Sequence, residues 1–127
     1  MITSLFAKAG ERARKVEDPA ELARLHTEAQ GVLWVDLFQP TPEEMKVLSD
    51  VFRFHHLAID DCVAESNHPK VNDYGEYIYL VMHGAAPGAK RGTFETQELD
   101  LFCGRTFFVT YRSAGIRAIE EVRKRCL

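Results

Sequence analysis

The sequence has little of several things that would point to a function at once. Its three cysteines, Cys62, Cys103 and Cys126, are widely spaced and form no CxxC, which implies neither a zinc ribbon nor a disulfide framework and makes a reducing setting the simpler expectation. No stretch approaches the ~20 apolar residues of a membrane-spanning helix. The amino terminus, MITSLFAKAGERARK, places its apolar residues before its basic ones and lacks the apolar run of a signal peptide. There is no excess of basic charge: the formal net charge is -3 and the pI near 5.9, which argues against a nucleic-acid or anionic-lipid role resting on general electrostatic attraction. Enzyme signatures are missing too, with no P-loop, no GxGxxG after a strand and no GxSxG elbow. A serine, a histidine and an aspartate can be picked from any chain of this size and carry no weight. Internal repeats and low-complexity segments are also absent.

What is present is the composition of an ordinary globular domain, 46% hydrophobic and 28% charged over 127 residues. One domain of this length removes roughly two thirds of its unfolded surface from water, so neither metal nor disulfide is required for folding. Ile2 to Ala7 reads as a strand, Gly10 as a turn and Arg12 to Val16 as a short partner. Asp18, Pro19 and Glu21 spell a helix start with a capping box; Leu22, Leu25 and Ala29 follow at helical spacing, and Gly31 is expected as the stop. Val32 to Phe38 is nearly continuously apolar, which predicts a strand covered on both faces, with Trp34 as a core anchor. Thr41, Pro42 and Glu44 repeat the cap, proline and box acid ahead of a stripe of Met45, Leu48 and Phe52.

A further helix is expected from about His55 to Glu65, ended by Ser66, Asn67, His68 and Pro69. Lys70 to Tyr74 and Tyr77 to His83 read as strands meeting at Gly75 and Glu76, either as a hairpin or as one bulged strand. Ala85 to Gly92 is expected as a loop, Glu98 to Phe102 and Thr106 to Arg112 as strands around a turn at Gly104 and Arg105. The chain closes on an amphipathic helix with Ile116, Ile119 and Val122 on one face. That helix has no terminal cap or turn residue and reads as a chain cut short, or a helix meant to continue. Interleaved helices and strands, the last strands joined as hairpins, predict a mixed parallel and antiparallel sheet packed by helices.

The chemistry concentrates between His55 and His83. At about 100° per residue, Ala58, Ile59, Cys62 and Val63 fall on one side of the helix, and Asp60 and Asp61 on the other, flanking Leu57 and Ala64. Outward acids are commonly just a solvated face. The alternative is a hard-cation site, because Mg2+ is held by one or two carboxylates while keeping several waters; a partner acid from another segment or subunit would then be needed. His55, His56 and His68 raise a zinc site, and His56 and Asp60 share a helical face, but HExxH and regular ligand spacing are lacking. His55 suits a helix start and His68 a turn. Lys70, directly after Pro69 at a strand entry, reads as an exposed edge lysine or the partner of a nearby carboxylate.

Three stretches together resemble the amino-terminal cytoplasmic domain of CorA-type divalent-cation transporters. They are Trp34 to Leu37 before the helix start Thr41 to Glu44; Phe54, His55, Leu57, Ile59, Asp60, Asp61 and Cys62; and Pro69, Lys70, Val71, Asp73, Tyr74 and Tyr77. His56 stands where that family commonly has proline, and Asp60 where it often has glutamate. The resemblance implies an α/β/α sandwich with a mixed sheet, the whole of residues 1–127 forming a single domain from which the transmembrane part is absent. It implies no enzyme, but the regulatory, cation-sensing part of a Mg2+ and Co2+ transporter on the cytoplasmic face of the inner membrane, this piece of it being soluble. Partners would be divalent cations and identical subunits of a pentamer, with no nucleic acid and membrane contact only through the absent part. By the same resemblance Asp61 would bind a regulatory Mg2+ between subunits, with Co2+ or Zn2+ as alternatives, and Asp60, the adjacent acid, would be linked to a secondary cation site. Bound Mg2+ would favour the closed state. A ZntB-like zinc transporter domain and a stand-alone α/β interaction domain remain alternatives, and a metal-dependent hydrolase is disfavoured because no nucleophile or base is arranged near the acids.

Overall fold

A computed structural model describes residues 1–28, 30–64 and 68–127. In chain order the elements are β1 (Ile2–Ala7), β2 (Arg14–Lys15), α1 (Pro19–Glu28), β3 (Val32–Phe38), α2 (Pro42–Met45), α3 (Val47–Asp50), α4 (His56–Val63), β4 (Lys70–Asp73), β5 (Tyr77–Pro87), β6 (Phe94–Gly104), β7 (Phe107–Arg112) and α5 (Arg117–Cys126). Among the described residues the strands form one seven-stranded sheet in the order β2-β1-β3-β7-β6-β5-β4. The nearly continuous apolar run of β3, broken only by Asp36, fits its place inside the sheet, where it pairs in parallel with β7 and antiparallel with β1. The remaining neighbours are antiparallel, so the sheet is mixed as expected.

Strand alternation divides the sheet into two faces. Leu33, Val35, Leu37, Val109, Phe102 and Tyr79 join Leu22, Leu25, Leu48, Phe52, Phe54, Ala58 and Cys62 from α1 to α4 in one buried cluster. Each large apolar side chain buried there contributes roughly 1.5–3 kcal/mol. Trp34, Asp36 and Phe38 alternate onto the opposite face. Trp34 is buried, but it stacks on Phe108 with ring centroids 5.2 Å apart and donates from Nε1 to Thr110 Oγ1 at 3.0 Å. It therefore anchors the second face rather than the main cluster.

The second face is joined to α5 by a polar network. Arg112, fully buried, donates to both oxygens of Asp36 at 3.2 and 2.8 Å and to Glu120 Oε1 at 2.7 Å; Arg123 pairs with the same glutamate. Burial works against the Arg112 charge, but Asp36 and Glu120 outweigh it and its pKa is raised. The expected apolar stripe of α5 does not seat as drawn: Val122 is 47% exposed and no residue of α5 is fully buried. Charge pairing, which a hydrophobicity pattern does not register, holds this helix.

Other departures have local causes. The strands expected to stop near His83 and start near Glu98 run instead from Tyr77 to Pro87 and from Phe94 to Gly104, paired from Tyr77↔Gly104 to Pro87↔Phe94. Ladder pairing carries the hairpin on past Met82↔Leu99, where the apolar alternation stops, so the expected loop shrinks to residues 88–93. Gly31 and Gly104 are needed for closeness: an added Cβ would sit 2.3 Å from the Ala7 carbonyl oxygen and 2.4 Å from the Phe107 ring, and neither residue has positive φ. Glu21 does not complete a box with Asp18, because Arg14 and Arg24 take its carboxylate; Asp18 still caps through the Ala20 N–H. At Thr41 both halves of the box form, with Glu44 N donating to Thr41 Oγ1 and Thr41 N to Glu44 Oε1. Gly75, at φ +88°, turns β4 back into β5 as a true hairpin. The expectations for Ala29 and for Glu65, Ser66 and Asn67 lie outside the described residues.

Candidate metal site

The acidic pair lies on α4, and α4 is held by its inner side. Ala58 and Cys62 are 0% and 1% exposed, so the helix is fixed against the sheet. His55 caps it: its Nδ1 accepts the Leu57 N–H at 3.1 Å, while its own backbone N–H donates to the Tyr77 hydroxyl at 2.7 Å. His55 is thereby committed to starting the helix, and His56 stacks on it at 4.4 Å between centroids. Leu57 is exposed beside the acids, as the wheel predicts. Val63 is 53% exposed although the wheel put it on the inner side, because α4 ends there and no further turn carries it against the sheet.

Asp60 is exposed. Asp61 is turned toward β4, where Lys70 Nζ donates to its Oδ2 at 2.6 Å. The two acids are adjacent on the helix, but only Asp60 faces fully into solvent. His68 is exposed near the start of β4. Among the described residues no three of His, Cys, Asp and Glu gather as a metal cage. The donors that are present are carboxylate oxygens, which fit a hard cation such as Mg2+ better than Zn2+. By themselves they would make up only part of a coordination shell.

Beneath α4 lies a buried acid that sequence reading did not single out. Asp100, on β6, is fully buried, and Tyr79 donates its hydroxyl to Oδ2 at 2.5 Å; Oδ1 has no hydrogen-bond partner among the described residues. Burial first, and then the neighbouring Glu98, push the Asp100 pKa up to about 7. Burial also pushes the Cys62 thiol and the Tyr79 phenol upward, so neither is a ready nucleophile. The available sequence signal is that Asp100 stands two residues before Phe102 in an alternating strand and so shares its face, whereas the flanking Leu99 and Leu101 invite the opposite reading, with the acid turned outward. A cavity of about 690 Å³ opens beside this cluster, with His68, His83, Glu98 and Tyr111 among its lining residues.

With this geometry in place, comparison with known proteins is decisive for family. The family described as CorA-like Mg2+ transporter protein matches residues 29–127. The chain belongs to this family. The chain is also similar to the "Putative metal ion transporter YfjQ" of Bacillus subtilis (strain 168), 38% identical over 92 residues, covering 72% of this chain and 28% of that protein. The chain thus spans less than a third of that relative's length. Among solved structures, the soluble domain of CorA from Methanocaldococcus jannaschii matches with a TM-score of 0.73 at 18% identity, over 98% of this chain and 45% of that one. The ZntB cytoplasmic domain from Vibrio parahaemolyticus RIMD 2210633 matches with a TM-score of 0.72 at 15% identity, over 97% and 48%. At such identities the structural likeness establishes the CorA-like fold, a mixed sheet with helical layers. No helix of the described residues is long and apolar enough to cross a membrane.

Proposed function

We propose that this CorA-like domain senses divalent cations on the cytoplasmic side of a metal-ion transporter, with Mg2+ bound at Asp61, and Asp60 beside it, where neighbouring subunits meet. The observation that carries the reading is the placement of the acidic pair at the surface of a helix whose other side is locked in the core. Two carboxylates with an incomplete shell suit an ion completed by waters and by a second subunit. Such an ion offsets repulsion between acidic surfaces and stabilises the arrangement in which they are close, which is population shift by differential binding. In this reading the ion-bound arrangement is the closed transporter, and falling Mg2+ releases it. The pentamer and the membrane location belong to the full-length protein. Zn2+ is the second reading; the ZntB-like fold supports it, while the commitment of His55 to capping weighs against it.

The test is Mg2+ inhibition of Co2+ or Mg2+ uptake by the full-length protein. Asp61→Ala should require a markedly higher Mg2+ concentration for half-inhibition. An inhibition curve that superimposes on wild type would show that the site lies elsewhere.

A further inference from the structure

We infer that Lys70 is a tethered competitor for the cation-binding carboxylate: its ammonium occupies Asp61 when no divalent ion is bound, and an arriving ion must displace it. This rests on the Asp61 assignment proposed above and concerns how that site is tuned. The contact joins two elements, α4 and β4, with 2.6 Å between Nζ and Oδ2. Both ends are well placed. Asp61 is positioned by the buried Ala58 and Cys62 on its helix, and Lys70 opens β4 in register with Val81. The ammonium also lies 5.7 Å from the centroid of the Tyr79 ring, so the lysine stem is laid over the sheet toward α4. The side chains keep 33% and 39% exposure, which lets an ion approach the carboxylate and lets the lysine leave toward water.

Magnitudes decide what happens when the ion arrives. A divalent ion and an ammonium ~4 Å apart repel, even with the screening of bulk water, strongly enough to weaken binding about thirtyfold. Giving up a solvent-accessible ion pair weakens it by at most about fivefold. Withdrawal of the lysine is therefore the cheaper course, and a flexible four-carbon stem with a strongly hydrated head makes it feasible. The consequence is a site whose affinity is lowered by the cost of one ion pair, and whose cation-free state keeps Asp61 charge-compensated.

The experiment uses the full-length protein titrated with Mg2+, with two readouts: the Mg2+ midpoint for protection from limited proteolysis, and the rate of Lys70 acylation by acetic anhydride. Lys70→Met, which keeps the stem over Tyr79, should lower the midpoint roughly two- to fivefold. Lys70→Arg, which retains the charge and can grip a carboxylate with two parallel N–H bonds, should leave the midpoint at or above wild type. In the wild type, saturating Mg2+ should accelerate Lys70 acylation severalfold. A Lys70→Met midpoint that is unchanged or raised, a Lys70→Arg midpoint that falls with it, or acylation that is unchanged or slowed by Mg2+ would each overturn the competition. Asp61→Asn separates the two readings: if it leaves the midpoint unaltered, the Asp61 site itself fails and takes the competitor with it. If it abolishes the response while Lys70→Met shifts nothing, only the competitor fails.

Discussion

Replacing Asp100 with asparagine should remove a pH dependence that the wild-type domain carries between about pH 4, the unfolded carboxylate's range, and about pH 7, the value to which burial and Glu98 push the folded group. The folded protein holds this proton where the unfolded chain has released it. Stability from this group is therefore fully present below about pH 4, falls as pH rises, and levels off above about pH 7. The shift from 3.8 to about 7, at about 1.4 kcal/mol per unit, amounts to ~4 kcal/mol as an upper figure. His26, whose burial lowers its pKa, adds the opposite slope, losing stability as pH falls through its ordinary 6.5. Glu44, held low first by the Thr41 backbone N–H, loses its contribution only at more acidic pH. The quantity to read is thus the difference between wild type and Asp100→Asn in urea unfolding at pH 5, 6, 7 and 8. Wild type should lose stability relative to the variant from pH 5 to about 7, by up to about 1.4 kcal/mol per pH unit, and level off by pH 8. Parallel curves from pH 5 to 8 would refute the reasoning.

Two further variants test the packing. Arg112→Met leaves Asp36 buried and without its principal counter-ion, and should cost about 3–5 kcal/mol in chemical denaturation; a loss under about 1 kcal/mol would mean that the network is not the bond between sheet and α5. Gly31→Ala drives a methyl group to 2.3 Å from the Ala7 carbonyl oxygen. Because backbone must move to make room, it should destabilise by about 1–3 kcal/mol, seen as a lowered thermal midpoint, and an unchanged midpoint would show that β1 yields freely there.

Much of the fold was legible because the sequence repeats its local signals. The Thr41 box, the Asp18 cap and the nearly continuous apolar run of Val32 to Phe38 each point to the element that forms. The structure departs from the sequence pattern where the deciding force is not periodic. Lengthening of β5 and β6 rests on backbone pairing between residues with no apolar alternation. The seating of α5 rests on Arg112, Glu120 and Arg123, which look like ordinary surface charges until Asp36 is seen buried against them. Gly31 reads as a helix stop from its position, but its backbone takes no left-handed angle; the constraint is the passing strand. At the site, the wheel correctly set Asp60 and Leu57 outward. Lys70 reads from the sequence as an edge lysine or a partner for a nearby carboxylate, and the second holds; which carboxylate it meets depends on how β4 returns beside α4, which the wheel does not register.

The anchoring of α4 also bears on how a signal could leave the site. Moving Asp60 and Asp61 relative to the sheet would pull Ala58 and Cys62 out of a close-packed cluster, and removing even a few buried methylenes costs about 0.8 kcal/mol each. An ion held by one or two carboxylates and its waters has little reason to do that work when Lys70 can simply swing aside. In the proposed reading, binding therefore changes charge and contacts at the surface while the domain stays rigid, and the free energy of the ion acts on how domains sit against one another. That predicts matching amide exchange protection for β3, β6 and β7 with and without Mg2+ in the full-length protein, with the change confined to α4 and its surroundings. Loss of protection in those central strands on Mg2+ removal would instead mean that the cation stabilises the fold of the domain itself.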